Sequence, residues 1–304
     1  MKKILTYTVA MLLPLMVTAQ ALPFVAADYA PAALAKAGAV TSETAATAFS
    51  AFGNAAAIPY SDRTADFAAG YTLWQPSSAD CSVIAAGGAY KLNDKMGVAV
   101  GLTYGMHSGY EIFSDSGSFK GTFKPSDMQI KAGFAYRFLP FLSAGVNIGY
   151  ASSKLAQGTS YGAFVADIFM MSKFNDIRVV LGVSDLGSAV TSASGQKFSL
   201  PSALTLGVGY DKTFSQTHRV DVSLDADYYF ANAVAAAVGL GYTFNDMAGV
   251  KAGYRYGGKS VIPSYASVGL CGKLLGVTLD LAYIISAGKS PMGNTLALSA
   301  GYTF

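Results

Sequence analysis

From Thr64 to Phe304 apolar side chains recur at every second position, segment after segment, and few folds can use such a pattern. Successive side chains of an extended chain point to opposite faces of a sheet, so each segment has one large apolar face and one small or polar face. One segment carries Val98, Val100, Leu102, Tyr104 and Met106 on the first face and Gly97, Ala99, Gly101 and Gly105 on the second. A large apolar face turned outward with small residues inside suits a barrel in lipid. Composition supports this: 52% of residues are apolar and only 13% charged, about half the charge of an ordinary soluble domain. After residue 21 no window of roughly 18 residues is uniformly apolar, which excludes a bundle of membrane helices.

Fourteen alternating segments can be counted, at 64–75, 81–92, 96–107, 127–138, 142–153, 161–172, 177–185, 201–213, 218–230, 234–244, 248–256, 264–275, 276–287 and 294–304. Each has the ~9–11 residues, or slightly more, that a tilted membrane strand needs. Connections after even-numbered segments are tight, whereas several after odd-numbered ones are long, 108–126 and 186–200 above all. Short turns belong to the periplasmic side and long loops to the outside, so an even count returns both ends of the barrel to the periplasm. The descending segments close on paired large residues: Tyr90 and Leu92, Tyr136 and Phe138, Tyr242 and Phe244, Tyr302 and Phe304. Amphipathic rings favour the headgroup level, which makes this an aromatic girdle. Tyr302 and Phe304 also resemble the terminal signal by which outer-membrane barrels are recognised for insertion.

Ahead of the barrel, Lys2 and Lys3, an apolar run over 4–17 and small residues Thr18, Ala19 and Ala21 form a secretory signal pattern, with cleavage expected after Ala19 or Ala21. Three parts follow: a signal peptide over 1–21, a plug or lead-in segment over 22–63, and a transmembrane barrel over 64–304. The plug segment is Ala-rich, holds Pro23, Pro31 and Pro59, and never settles into alternation. Without Lys2 and Lys3 the chain is close to neutral, so nothing draws it to nucleic acid. The only cysteines, Cys81 and Cys271, lie in separate segments and could bond only if those strands were neighbours.

Charged residues that project inward form an expected lumen network: Lys131, Arg137, Arg178, Asp221, Asp225, Asp227, Lys251, Arg255 and Asp280. Both signs occur, so pairing with each other or with plug backbone outweighs a metal or acid–base reading of the three aspartates. The run from Gly253 to Ser260 matches a phosphate-binding G-x4-G-K-S pattern, but Val261, Ile262 and Pro263 follow where a helix is required, so the match is taken as accidental. His107 and His218 fall at strand ends with no cysteine or carboxylate cluster at ligand spacing. No catalytic residue, metal site or cofactor is expected. In the loop 108–126, Tyr110, Ile112, Phe113, Phe119 and Phe123 are either a docking surface or a cover over the barrel mouth.

Several runs taken in order resemble the PorV/PorQ family, a branch of the FadL-like outer-membrane barrels of Bacteroidota. They are Leu181-Gly-Val-Ser-Asp185-Leu-Gly187, Leu200-Pro201-Ser-Ala-Leu-Thr-Leu-Gly207-Val-Gly-Tyr210, Leu224-Asp225-Ala-Asp227, Gly239-Leu-Gly-Tyr-Thr-Phe244, Val250-Lys-Ala-Gly-Tyr-Arg255 and Gly293-Asn294-Thr295. The small-residue stretch 32–41 is similar to the family's N-terminal segment. Two departures stand out: Asp185 precedes Leu186-Gly187 where the family usually has Asn, and Asn54-Ala55-Ala56 stands where it has Asn-Pro-Ala. The resemblance implies a fourteen-stranded antiparallel barrel in the outer membrane, contacting its lipid. Its leading functional expectation is a non-enzymatic component of a protein export or assembly complex, docked to a larger barrel or to surface lipoproteins. The alternative is a transporter of hydrophobic small molecules, with a path past the plug and a break in one strand's pairing near the glycines of 97–105 or 145–149. A sealed, purely structural barrel is a third class.

Overall fold

The computed structural model describes residues 20–43, 47–76, 78, 80–192, 194–285 and 290–304; the expected signal peptide lies outside them apart from its last two positions. Three strands, β1 (Ala65–Trp74), β2 (Cys81–Lys91) and β3 (Met96–Met106), lead into a small hairpin of β4 (Tyr110–Phe113) and β5 (Phe119–Phe123). Then come β6 (Ser126–Leu139), β7 (Leu142–Ala156), β8 (Thr159–Phe174) and β9 (Ile177–Gly187), and a second hairpin of β10 (Val190–Thr191) and β11 (Lys197–Phe198). The rest are β12 (Ala203–Phe214), β13 (His218–Tyr229), β14 (Ala233–Phe244), β15 (Ala248–Tyr256), β16 (Tyr265–Leu274), β17 (Val277–Ile285) and β18 (Leu296–Thr303). All but the two hairpins join into one closed antiparallel barrel of fourteen strands, sealed where β1 pairs with β18 from Asp66–Thr303 to Leu73–Leu296.

The alternation explains the wall. Along β3 exposed Val100, Leu102, Tyr104 and Met106 face outward, while Gly97, Ala99, Gly101, Thr103 and Gly105 face in. At the end with tight turns, Tyr136 packs on Phe138 at 4.9 Å between ring centres and Tyr302 on Phe304 at 4.7 Å, a rim of rings suited to the headgroup level. The turn between β16 and β17 is two residues, with Leu275 and Gly276 both at positive φ (51° and 84°), the mirror-image turn whose twist matches paired strands. Long connections collect at the opposite end, which is therefore the outer one.

Residues 20–43 and 47–63 fill the lumen. They form short 3-10 turns at Pro23–Ala26, Ser50–Phe52 and Ala55–Tyr60 and a single helical turn, α1 (Pro31–Leu34). Asn54 caps the third: its Oδ1 accepts from the Ala56 N–H at 2.9 Å and its Nδ2 donates to the Thr41 carbonyl at 2.9 Å. The segment runs from the loop end to the turn end. Gln20 bridges to Ser199 above β12, whereas Tyr60 lies beneath Arg137 and Lys173 at the tight-turn rim. Small residues are needed on both sides of the contact. A Cβ at Gly145 would lie 2.4 Å from the Ala56 nitrogen, and one at Gly253 2.3 Å from the Lys36 carbonyl carbon. The hydrophobic core is thus the plug–wall interface, where Leu34, Ala35, Ala37 and Ile58 are almost fully buried.

Candidate functional site

Three cavities lie in series through the lumen. The outermost, about 820 Å3, is bounded by plug residues 20–24 with Ala27 and Tyr29, by the upper ends of β1, β2, β3, β6, β7 and β8, and by the loops over the mouth. Leu22, Phe24, Trp74, Val83, Leu155, Phe198 and Ile262 make it mostly apolar. Its floor is an edge-to-face pair, Tyr29 on Trp74, with ring centres 5.1 Å apart. Beneath lies a small cavity of about 80 Å3 that shares Ala27, Tyr29 and Thr103 with the vestibule and adds the polar side chains Asp28, Glu43, Asn54 and Gln129. The third, about 420 Å3, opens at the turn end, shares Glu43, Thr47 and Phe49 with the second, and is strongly charged. The series grows more polar from the loop end to the turn end, where a path for hydrophobic cargo would stay apolar along its length.

One charged pair interrupts the vestibule wall. His107 Nε2 lies 2.7 Å from Asp127 Oδ2 and 3.9 Å from the Cys81 thiol. The hydrogen bond to Asp127, then that to Cys81, holds the imidazole pKa up at about 10, so His107 is an imidazolium at neutral pH. Sequence reading found no cluster around His107, because its partners arrive from β2 and β6 through strand register: Gly105 of β3 stands opposite Asp127, and Met106 opposite Ser82. A fixed register would have exposed it. Cys81 and Cys271 are both free thiols, on strands that are not neighbours.

The inward charges expected from sequence form separate groups rather than one network. Lys131 bonds Asp167 at 2.9 Å and Asp185 at 3.2 Å, all three buried. Arg178 pairs with Asp211, and Asp221 with plug Lys36, which also pairs with plug Glu43. Asp225 accepts the Thr41 N–H at 2.9 Å; Asp227 holds Arg255 at 3.0 Å; Lys251 reaches Asp280 at 3.9 Å. Arg137 instead lies over the Tyr60 ring, 5.5 Å from its centre. Plug partners Lys36, Glu43 and Thr41 were invisible to strand periodicity, since no period links them to the wall.

The expected break at 97–105 or 145–149 is not where pairing fails: β3 and β7 keep continuous ladders there on both sides. Gly97, Gly101 and Gly145 serve close approach of the plug instead, against Ile58, Phe52 and Ala56. The irregularity sits in β9. Pairing with β8 slips between Ala166 and Ile168, Asp185 takes φ 53°, and the β12 ladder stops at Ser184–Ala203. Beyond it Asp185 is held from the β12 side by Ser202 Oγ, donating to its carbonyl at 2.6 Å. On the outer face of β2, β3 and β6–β9 the wall is dented into an apolar groove of about 910 Å3, with Gly87, Gly101, Gly149 and Gly187 in its lining.

Rings in the loop 107–125 do not cover the mouth. Tyr110 packs at a tilt against Phe123 at 5.7 Å and Phe113 edge-to-face against Phe119 at 5.9 Å across the β4–β5 hairpin, and Phe113 and Phe119 remain exposed. The G-x4-G-K-S match falls in the loop between β15 and β16, with a strand after it. Tyr302 and Phe304 sit on the outer surface beside the barrel seam, where Phe304 N–H bonds the Ala65 carbonyl at 2.9 Å.

No family model matches the chain, and no curated protein does. Its fold is similar to that of solved toluene transporters. The Pseudomonas putida transporter TodX aligns with a TM-score of 0.62 at 11% identity, over 89% of this chain and 98% of that one. For the Ralstonia pickettii transporter TbuX the values are 0.61, 11%, 91% and 98%. A Pseudomonas aeruginosa FadL homologue gives 0.54 and 12%, over 90% of this chain and 98% of that one. The closed barrel, its apolar belt and its rim of rings make this a multi-pass outer-membrane protein.

Proposed function

We propose that the protein is a non-enzymatic channel that admits hydrophobic small molecules through the outer membrane. The observation that carries this reading is the vestibule: a largely apolar cavity of about 820 Å3, open at the loop end and floored by the plug. A sealed structural barrel has no use for such a cavity. The likeness to proteins described as toluene transporters and to a FadL homologue adds support. The test is uptake of the hydrophobic dye N-phenylnaphthylamine by cells carrying the barrel, against cells carrying Ala27→Trp, which places an indole at a residue that lines both of the upper two cavities. Faster uptake that the substitution abolishes supports transport; uptake equal to that of cells without the barrel overturns it.

The resemblance to PorV/PorQ barrels keeps a second reading in play, a partner barrel in an export or assembly complex. Tyr110, Phe113, Phe119 and Phe123 favour it, since an aromatic hairpin at the loop end with Phe113 and Phe119 exposed is a surface a partner could cover. A larger barrel or lipoproteins recovered in stoichiometric amounts with the tagged protein, and lost when the four rings become serine, would establish it.

A further inference from the structure

We infer that the vestibule selects uncharged hydrophobic compounds bearing one hydroxyl group over plain hydrocarbons and over carboxylates; this rests on the transport reading above. Among the described residues the lining contains one cation and one anion, His107 and Asp127, and no lysine, arginine or glutamate. These two already neutralise each other at 2.7 Å. An entering carboxylate would lose its hydration and add a net negative charge beside Asp127, to a pair that already sums to zero, which disfavours binding.

The pair is nevertheless incompletely used. Its contact occupies Nε2 of the ring and Oδ2 of the carboxylate, leaving His107 Nδ1 and Asp127 Oδ1 with no protein hydrogen bond among the described residues. Both side chains are part-exposed and line the cavity. A protonated imidazole offers Nδ1–H as a donor, and the carboxylate oxygen is an acceptor. A hydroxyl can serve either site, accepting from His107 Nδ1–H or donating to Asp127 Oδ1, which lie on opposite sides of the paired contact. A hydrocarbon meets neither need and must lie against a charged pair or leave water on it. Hydrogen bonds to charged groups are the stronger kind, and one well-placed bond corresponds to about tenfold in affinity.

The chain carries its own reporter. Trp74 is its only tryptophan, and it lies in the vestibule floor on Tyr29. The protein in lipid nanodiscs would be titrated near neutral pH with cyclododecanol, cyclododecane and cyclododecanecarboxylate, three compounds on one ring that do not absorb with tryptophan, while Trp74 emission is followed. The alcohol is expected to bind about tenfold more tightly than the hydrocarbon, with the carboxylate weakest. In a His107→Leu/Asp127→Leu double variant, which removes both charges together, the alcohol loses its advantage; heat-modifiable gel mobility reports that the barrel has folded. Equal binding of alcohol and hydrocarbon, tightest binding of the carboxylate, or an alcohol preference that survives in the double variant overturns the inference and leaves the transport reading standing. No Trp74 response to any of the three, together with no dye uptake, overturns both.

Discussion

Lys36 is the plug's ionic anchor, and replacing it should unseat the plug. Its side chain is 2% exposed and its ammonium bonds Glu43, seven residues along the plug, and Asp221 on the β13 wall. Lys36→Met keeps the length of the side chain but strands two carboxylates that are 21% and 16% exposed. Removing one partner of a buried ion pair typically costs about 3–5 kcal/mol, and the lower end applies here because both carboxylates retain some water. At about 1.4 kcal/mol per tenfold, a loss of roughly 3 kcal/mol shifts the ratio of seated to displaced plug by about a hundredfold. Planar-bilayer recordings would show open-channel events becoming about that much more frequent than in the parent. A triple variant, Lys36→Met with Glu43→Gln and Asp221→Leu, removes the stranded charges and should return most of the stability. The reasoning fails if Lys36→Met is as quiet as the parent, or if the triple variant leaks as much as the single one.

Gly145→Ala drives a methyl to 2.4 Å from the Ala56 nitrogen of the plug and should destabilise the seated state by about 1–3 kcal/mol, whereas Gly272→Ala, whose Cβ would meet nothing nearer than 3.9 Å, should be silent; leak rates of the two variants decide this. For His107 the folded pKa of about 10 exceeds the ordinary 6.5, so its contribution to stability is complete below 6.5 and is lost as pH rises through about 10. The thermal midpoint of the parent should therefore fall toward that of Asp127→Asn as pH is raised from 8 to 10.5, and a gap between them that stays constant would refute the pairing. In a Cys271→Ala background, maleimide labelling of Cys81 should be slowed by cyclododecanol, because the thiol lies in the vestibule lining beside His107; an unchanged rate would place the ligand elsewhere.

Strand number, order and outward faces were legible because lipid enforces a two-residue period that nothing else in the chain imitates. β15 runs over 248–256 as expected from the sequence, and most other strand ends differ by one or two residues. What could not be read has a common physical cause. The plug obeys no period, so its turns at Ala55–Tyr60 and its contacts through Lys36 and Asn54 depend on the cavity it fills. The His107, Asp127 and Cys81 cluster required register between three strands, and alternation fixes which face a residue takes but not its height. The slip at Asp185 hid for a similar reason: a bulge adds one residue to a strand whose apolar pattern resumes on the other side.

The direction in which residues 20–63 traverse the lumen has a consequence for biogenesis. This segment precedes every strand, yet its far end is tied to Ser199 at the outer mouth while its near end joins β1 at the inner rim. Once β1 and β18 have zipped together, the chain could reach that position only by threading lengthwise through a space whose side chains already touch. Closure must therefore happen around the segment, which packs on β2, β3, β6 and β7 through its later turns and on β16, β17 and β18 through α1. The order of synthesis, first segment first and seam partner last, is also the order in which such an object can be built.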